Sequence, residues 1–340
     1  MRQLLLIVLA TASSVAFTQN DSSSFYVYKG LQEKQNGRLM EAYKAFDKAY
    51  TFNTDAAVLK ELAAILYDLK KYPQAREKYL LLEKLGDKSL DTYNKLLALS
   101  FNMRQYPDAI KYAQLVKKTD PTAKTAFYIG KAHYDEENYG EAIRFLNIAA
   151  TEDPANAEVP YMVARSYADM MNYKMAMPFF EKALSLDSTN NRWMYETGLM
   201  YYAMHNDKAA LKYLLMAADK GYKRDNEYLE NLAIAYLGNK QTDKGLEILR
   251  ESLKRRPSDA NLLNVIAEAS YEAKQYDEAI GYWDQLLVLD KENATALFMI
   301  GMSYQKKGDK QKGQAICDKA IQLDPSLAKN KQKMSMPGGL

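Results

Sequence analysis

The residues able to do chemistry are few, and their spacing does not suit it. Cys317 is the only cysteine in the 340 residues, and the only histidines, His133 and His205, lie far before it. A cysteine nucleophile needs a base within hydrogen-bond reach, and this spacing supplies none, so Cys317 reads as a small buried apolar residue without a disulfide partner. Two isolated histidines, with no HExxH spacing, do not make a metal site. No glycine-rich phosphate loop occurs, and no cofactor is expected. Carboxylates are plentiful, as in Asp135-Glu136-Glu137, and an acid pair has the atoms for proton transfer, but a charge run on a helix is ordinarily a solvated face. The expectation is a protein that is not an enzyme.

Composition points to helices throughout. Ala, Leu, Lys, Glu and Tyr are frequent, while Gly and Pro number only 15 and 9, a mix that favours the α-helix. The net charge of +3 comes from 46 basic and 43 acidic residues spread along the chain, which gives no broad basic surface for a nucleic-acid backbone. At the start, Met1-Arg2 leads into an apolar run from Leu4 to Leu9, then small residues to Phe17, then Gln19, Asn20, Asp21 and serines. That is the layout of a secretory signal over 1–18, cleaved near Gln19. The competing reading, a retained anchor, needs ~20 apolar residues that the segment lacks. No cysteine near the cleavage region offers a lipid attachment point, and no later stretch is apolar enough to span a membrane.

A repeat organises the rest. Small residues recur at Ala42, Ala75, Ala109, Ala142, Ala176, Ala210, Gly245, Ala279 and Gly313, with gaps of 33 to 35 residues. Twelve positions earlier stands a second column, Gly30, Ala63, Leu97, Gly130, Ala164, Gly198, Ala233, Ala267 and Gly301, in which only Leu97 is large. Seven positions after the first column a third runs through Ala49, Leu82, Val116, Ala149, Ala183, Ala217, Ser252, Leu286 and Ala320, with bulky residues such as Phe46, Tyr79, Leu146, Phe180 and Trp283 between the two. Small residues let paired helices approach, and the large side chain fills the space beside them. Each period is thus a helical hairpin that must stack on its neighbours. Pro121, Pro154, Pro257 and Pro325 mark where second helices end, and Pro73 and Pro107 where second helices begin.

These columns resemble the tetratricopeptide repeat (TPR). Ile129-Gly130, Val163-Ala164, Ile266-Ala267 and Ile300-Gly301 match its Leu-Gly pair, and Tyr167, Tyr201, Tyr236 and Tyr304 its following aromatic. The resemblance implies an all-α, right-handed superhelical solenoid of about nine hairpins over 19–328, starting near 23, 56, 90, 123, 157, 191, 226, 260 and 294, with a tail over 329–340. Lys29 and Glu33 make the first repeat atypical, as expected of a cap facing water. Pro178 inside a second helix should remove one backbone bond and bend it. In the sixth repeat Asp207 replaces an aromatic and Gly221-Tyr222 replaces Asp-Pro, which suggests an altered hairpin angle.

In the family, first helices line a concave groove that receives partner segments. Carried over, that row is Lys60, Asn94, Phe127, Tyr161, Tyr195, Glu230, Asn264 and Phe298. The candidate partner-binding residues are Lys124, Lys131, Tyr161, Arg165, Arg192 and Tyr195, with a more acidic stretch at Glu227, Glu268 and Glu272. The plainer reading is that these residues keep the wall soluble, with Asp135, Glu158 and Asp169 diluting the basic cluster. Lys60 is followed one turn later by Ala64, which departs from the Lys and Asn clamp of chaperone-tail receptors. The expected role is an exported scaffold, periplasmic or secreted, that binds protein segments in a cell-envelope complex. A glycan- or peptidoglycan-binding module using the groove tyrosines is the alternative, and the oligomeric state stays open.

Overall fold

In a computed structural model, residues 22–329 are described; the expected signal segment and all but the first residue of the expected tail lie outside them. The described residues form α-helices joined by short turns, with no strand. They divide into two compact units, the first ending at Leu186 and the second starting at Asp187.

In the first unit five hairpins follow one another. They are α1 (22–35) with α2 (Leu39–Phe52), α3 (Ala56–Asp68) with α4 (Tyr72–Lys84), α5 (Leu90–Asn102) with α6 (Tyr106–Thr119), α7 (Ala126–Asp135) with α8 (Tyr139–Glu152), and α9 (Glu158–Asp169) with α10 (Tyr173–Leu186). The second unit holds α11 (Asn191–Ala203) with α12 (Asp207–Asp219), α13 (Asn226–Gly238) with α14 (Thr242–Arg255), α15 (Ala260–Glu272) with α16 (Tyr276–Leu289), and α17 (Ala294–Lys306) with α18 (Lys310–Leu323). A 3₁₀ turn over Pro325–Leu327 closes it. Within each unit a helix packs on its neighbours in sequence.

The local signals for these elements are side-chain caps and turn chemistry. Asp55, Ser89, Asn190, Asp225, Asp259 and Asn293 each accept a backbone N–H in the first turn of the helix they precede, which satisfies donors that the helix itself leaves unpaired. Pro73 and Pro107 sit in first turns, where no N–H is lost. α10 runs as one helix from Tyr173 to Leu186 with Pro178 inside it.

The turn inside each hairpin is built the same way nine times. Gly37, Lys70, Arg104, Glu137, Met171, His205, Lys240, Lys274 and Gly308 all have positive φ, between 55° and 100°. At Lys70 the N–H donates to the Tyr67 carbonyl at 2.9 Å and the following Lys71 N–H reaches back to Leu66 at 2.9 Å; the other eight turns repeat this pair of bonds. That is the left-handed C-terminal motif that reclaims the last carbonyls of the first helix and turns the chain into the second.

All three columns of the repeat are buried, and the packing shows why they are small. A methyl group placed on Gly130 would stand 2.8 Å from Leu146 Cγ, and one on Gly30 2.8 Å from the Phe46 ring. Each first-helix column residue thus faces the bulky residue sixteen positions later. Cys317 holds that bulky place in the last hairpin, fully buried, with its Sγ 3.6 Å from the Phe298 carbonyl; it is a core residue.

The first repeat matches the expected water-facing cap only in part, at the exposed Lys29. Glu33 is drawn into a 2.6 Å ion pair with Arg38, while Phe25, Tyr28 and Leu31 on the same helix stand exposed.

Candidate partner-binding face

Burial of the three columns uses one side of each first helix, and the other side is left to a ladder of polar contacts between successive first helices. In the first unit, Lys34 of α1 meets Glu61 of α3 at 2.7 Å, Lys60 of α3 meets Asp91 of α5 at 3.3 Å, and Lys131 of α7 meets Glu158 of α9 at 2.7 Å. Each time a cation on one first helix reaches an acid on the next. Such half-exposed pairs contribute little stability, about 0–1 kcal/mol; their effect is to fix the order and charge pattern of the face.

The candidates divide between the two units. In the first, Lys131 lies beside aromatic rings, with its Nζ 5.6 Å from the Phe127 centroid and 6.0 Å from that of Phe101. Phe101 and Phe127 both make edge contacts with Tyr128 at 5.5 and 6.2 Å. Tyr128 is 38% exposed; sequence reasoning passed over it because it stands one residue off the groove row. Tyr161 is half-buried, edge-on to Phe180 at 6.1 Å. Arg165 approaches Asp169 at 3.7 Å, and Asp169 also accepts the Tyr134 hydroxyl at 2.7 Å. Burial, then the hydrogen bond to Asp169, pushes the Tyr134 phenol well above its ordinary range. Lys124 stands apart from this group: it precedes α7 and reaches Asp153, just past the end of α8, at 3.3 Å.

In the second unit, Arg192 is exposed and pairs with Glu196 on its own helix at 2.9 Å. Tyr195, expected as an open groove aromatic, is only 5% exposed. The Gly221-Tyr222 closure of the sixth repeat lays the Tyr222 ring on it at 4.4 Å, nearly parallel. Its hydroxyl donates to Glu227 at 3.2 Å and accepts from Asn231 at 2.8 Å. Phe298, in the same expected row, is 2% exposed and belongs to the core around Cys317. The row is therefore part wall and part packing, and the departure at Gly221 was the sequence signal for Tyr195.

Among the described residues no group of His, Cys, Asp and Glu side chains is arranged to hold a metal ion, and no helix is long and apolar enough to cross a membrane.

Comparison with known proteins fits these hairpins to one family. Three models described as tetratricopeptide repeat match residues 58–87, 230–288 and 294–327, and one described as anaphase-promoting complex, cyclosome, subunit 3 matches 102–183. The chain is a tetratricopeptide repeat protein. Tetratricopeptide arrays are typically interaction scaffolds, not enzymes. No curated protein matches it by sequence. Among solved structures, the C-terminal part of a TPR repeat-containing protein from Cytophaga hutchinsonii is 18% identical and superposes with a TM-score of 0.56, covering 70% of this chain and 98% of that one. The TPR protein YrrB, described as having an unusual peptide-binding site, is 22% identical with a TM-score of 0.45, over 55% of this tetratricopeptide chain and 97% of its own.

Proposed function

We propose that the chain is an exported scaffold that holds a segment of a partner protein against the first-helix face of α7 and α9, within a periplasmic or otherwise extracytoplasmic assembly. The observation that supports this reading is the shelf formed by Phe101, Phe127 and Tyr128 with Lys131 beside it. Tyr128 keeps more than a third of its surface open. Tyrosine is among the residue types that most often anchor interfaces, and the Lys131 ammonium beside the shelf adds charge for steering a partner. Arg165 and Tyr161 on α9 extend the same face. Export rests on the Met1 to Asp21 segment alone.

The test is affinity capture of the mature protein from its host, identification of the partner by mass spectrometry, and binding by purified variants. Tyr128→Ala with Tyr161→Ala should raise the dissociation rate by the equivalent of about 1–2 kcal/mol per buried anchor. Lys131→Glu with Arg165→Glu should slow association in a manner that weakens with added salt. Helical variants that bind the partner as tightly as the parent at low salt would place the function on another face.

A further inference from the structure

The two ends of the described helical array are finished differently. At the C-terminal end Leu327 folds back from the 3₁₀ turn and packs, 6% exposed, against Phe298, Met302, Cys317 and Ala320. At the N-terminal end α1 leaves Phe25 at 61%, Tyr28 at 68% and Leu31 at 43% exposure. Beside them opens a cleft of ≈ 500 Å³ whose lining is apolar at Val27, Tyr28, Leu31, Phe46 and Val58 and polar at Ser24, Asn53, Asp55 and Glu61.

We propose that this surface is the docking site for a second copy of the same chain, related by a two-fold axis at α1. Three observations select that occupant. The surface carries both a knob and a hole: Phe25 stands outside the cleft, and its ring contacts Tyr26 edge-on at 5.3 Å. A two-fold axis lets each copy's Phe25 enter the other's cleft, because an isologous contact uses the same patch on both partners. The stripe facing outward, Ser24, Phe25, Tyr28, Leu31, Gln32 and Gln35, is exposed and itself uncharged, and the exposed Lys29 stands at its margin near Glu41 of the same chain. Facing copies therefore meet mainly through uncharged side chains, with Lys29 at the rim, whereas Glu33 and Lys34 are committed to Arg38 and Glu61 of their own chain. Lastly, two phenylalanines and two tyrosines bury about 150–250 Å² each when enclosed. Because roughly a third of each ring residue and more than half of Leu31 are already covered, these residues add about 500–800 Å², below the ~1,200 Å² typical of a specific interface and in the range of weak, transient contacts. A dimer in exchange with monomer follows, not a permanent one.

Sedimentation of the full chain over a range of concentrations tests this. The mass should rise from one chain toward two as concentration increases, and Phe25→Glu and Tyr28→Glu should each weaken association about tenfold or more, with unchanged helicity and urea midpoint. Ser24→Cys, in a Cys317→Ser background, should cross-link to its own counterpart under mild oxidation, which only a two-fold contact at α1 allows. A full chain that stays monomeric overturns the proposal; if removing residues 1–21 then brings association, the chain's own leading segment is the occupant. A dimer indifferent to both glutamate variants overturns it as well.

Discussion

Leu97 holds a place that glycine or alanine holds in the other eight hairpins, and sixteen positions later Ala113 holds the place of Phe46, Tyr79, Leu146 or Trp283. Both are buried in the same cluster, at the positions where Gly130 meets Leu146. Large and small have changed sides, so the exception keeps the summed volume of the pair. Leu97→Ala should cost about 2–5 kcal/mol as a cavity, and Ala113→Leu about 1–3 kcal/mol as overpacking. Combined, they should recover most of that loss in a urea double-mutant cycle; simple additivity would show that the two do not share a space. A second residue-scale effect concerns the phenols. Burial raises Tyr79, Tyr112, Tyr134, Tyr195, Tyr228 and Tyr271 above their ordinary value, which is about 10. Folding therefore favours their protonated form. That stability is fully present below pH ~10, where unfolded phenols keep their protons too, and is lost as pH rises above it. Urea midpoints should be flat from neutral pH to about 9 and fall steeply beyond 10; a flat profile to pH 11 would contradict the burial of these rings.

The hairpin turn is where sequence reading and structure part company. The buried columns, the proline positions and the all-α class were legible, because close helix packing demands small residues at a fixed period and a helix end tolerates proline only at certain places. The left-handed residue was not. Seven of the nine turn positions carry Lys, Arg, Glu, Met or His with positive φ, and apart from His205 none of these types signals that conformation. The packing of both helices and the reclaimed carbonyls hold it in place against a local cost of about 1–2 kcal/mol. Tyr195 was misjudged for a related reason: its cover comes from a loop residue, Tyr222, outside any periodic column. At the turn, glycine relieves strain but frees the unfolded chain. Met171→Gly, at a position 78% exposed, and Lys70→Gly should therefore each stabilise by up to about 1 kcal/mol, while Met171→Val should destabilise. The order of urea midpoints, Gly above Met above Val, checks this.

At the scale of the whole molecule, the division at Leu186 can be read by spectroscopy. Both tryptophans, Trp193 of α11 and Trp283 of α16, belong to the second unit, so their fluorescence follows that unit alone while far-UV circular dichroism follows every helix. In a repeat array stability is coupled through nearest neighbours. Leu97→Ala, in the first unit, should accordingly lower part of the dichroism transition and leave the tryptophan midpoint in place. A tryptophan midpoint that falls with it would mean a single cooperative block. The sequential packing of the helices has one more consequence, for how the chain reaches its fold. Among the described residues the principal packing within each unit is local: each helix finds its main partners in its own hairpin and the adjoining ones. The loops to be closed are about one repeat long, so their entropy cost is small and the rate is that of a local topology. A polypeptide delivered N-terminus first, from a ribosome or through a translocation channel, can bury each hairpin as the next one emerges, with little apolar surface left open to aggregation at any moment.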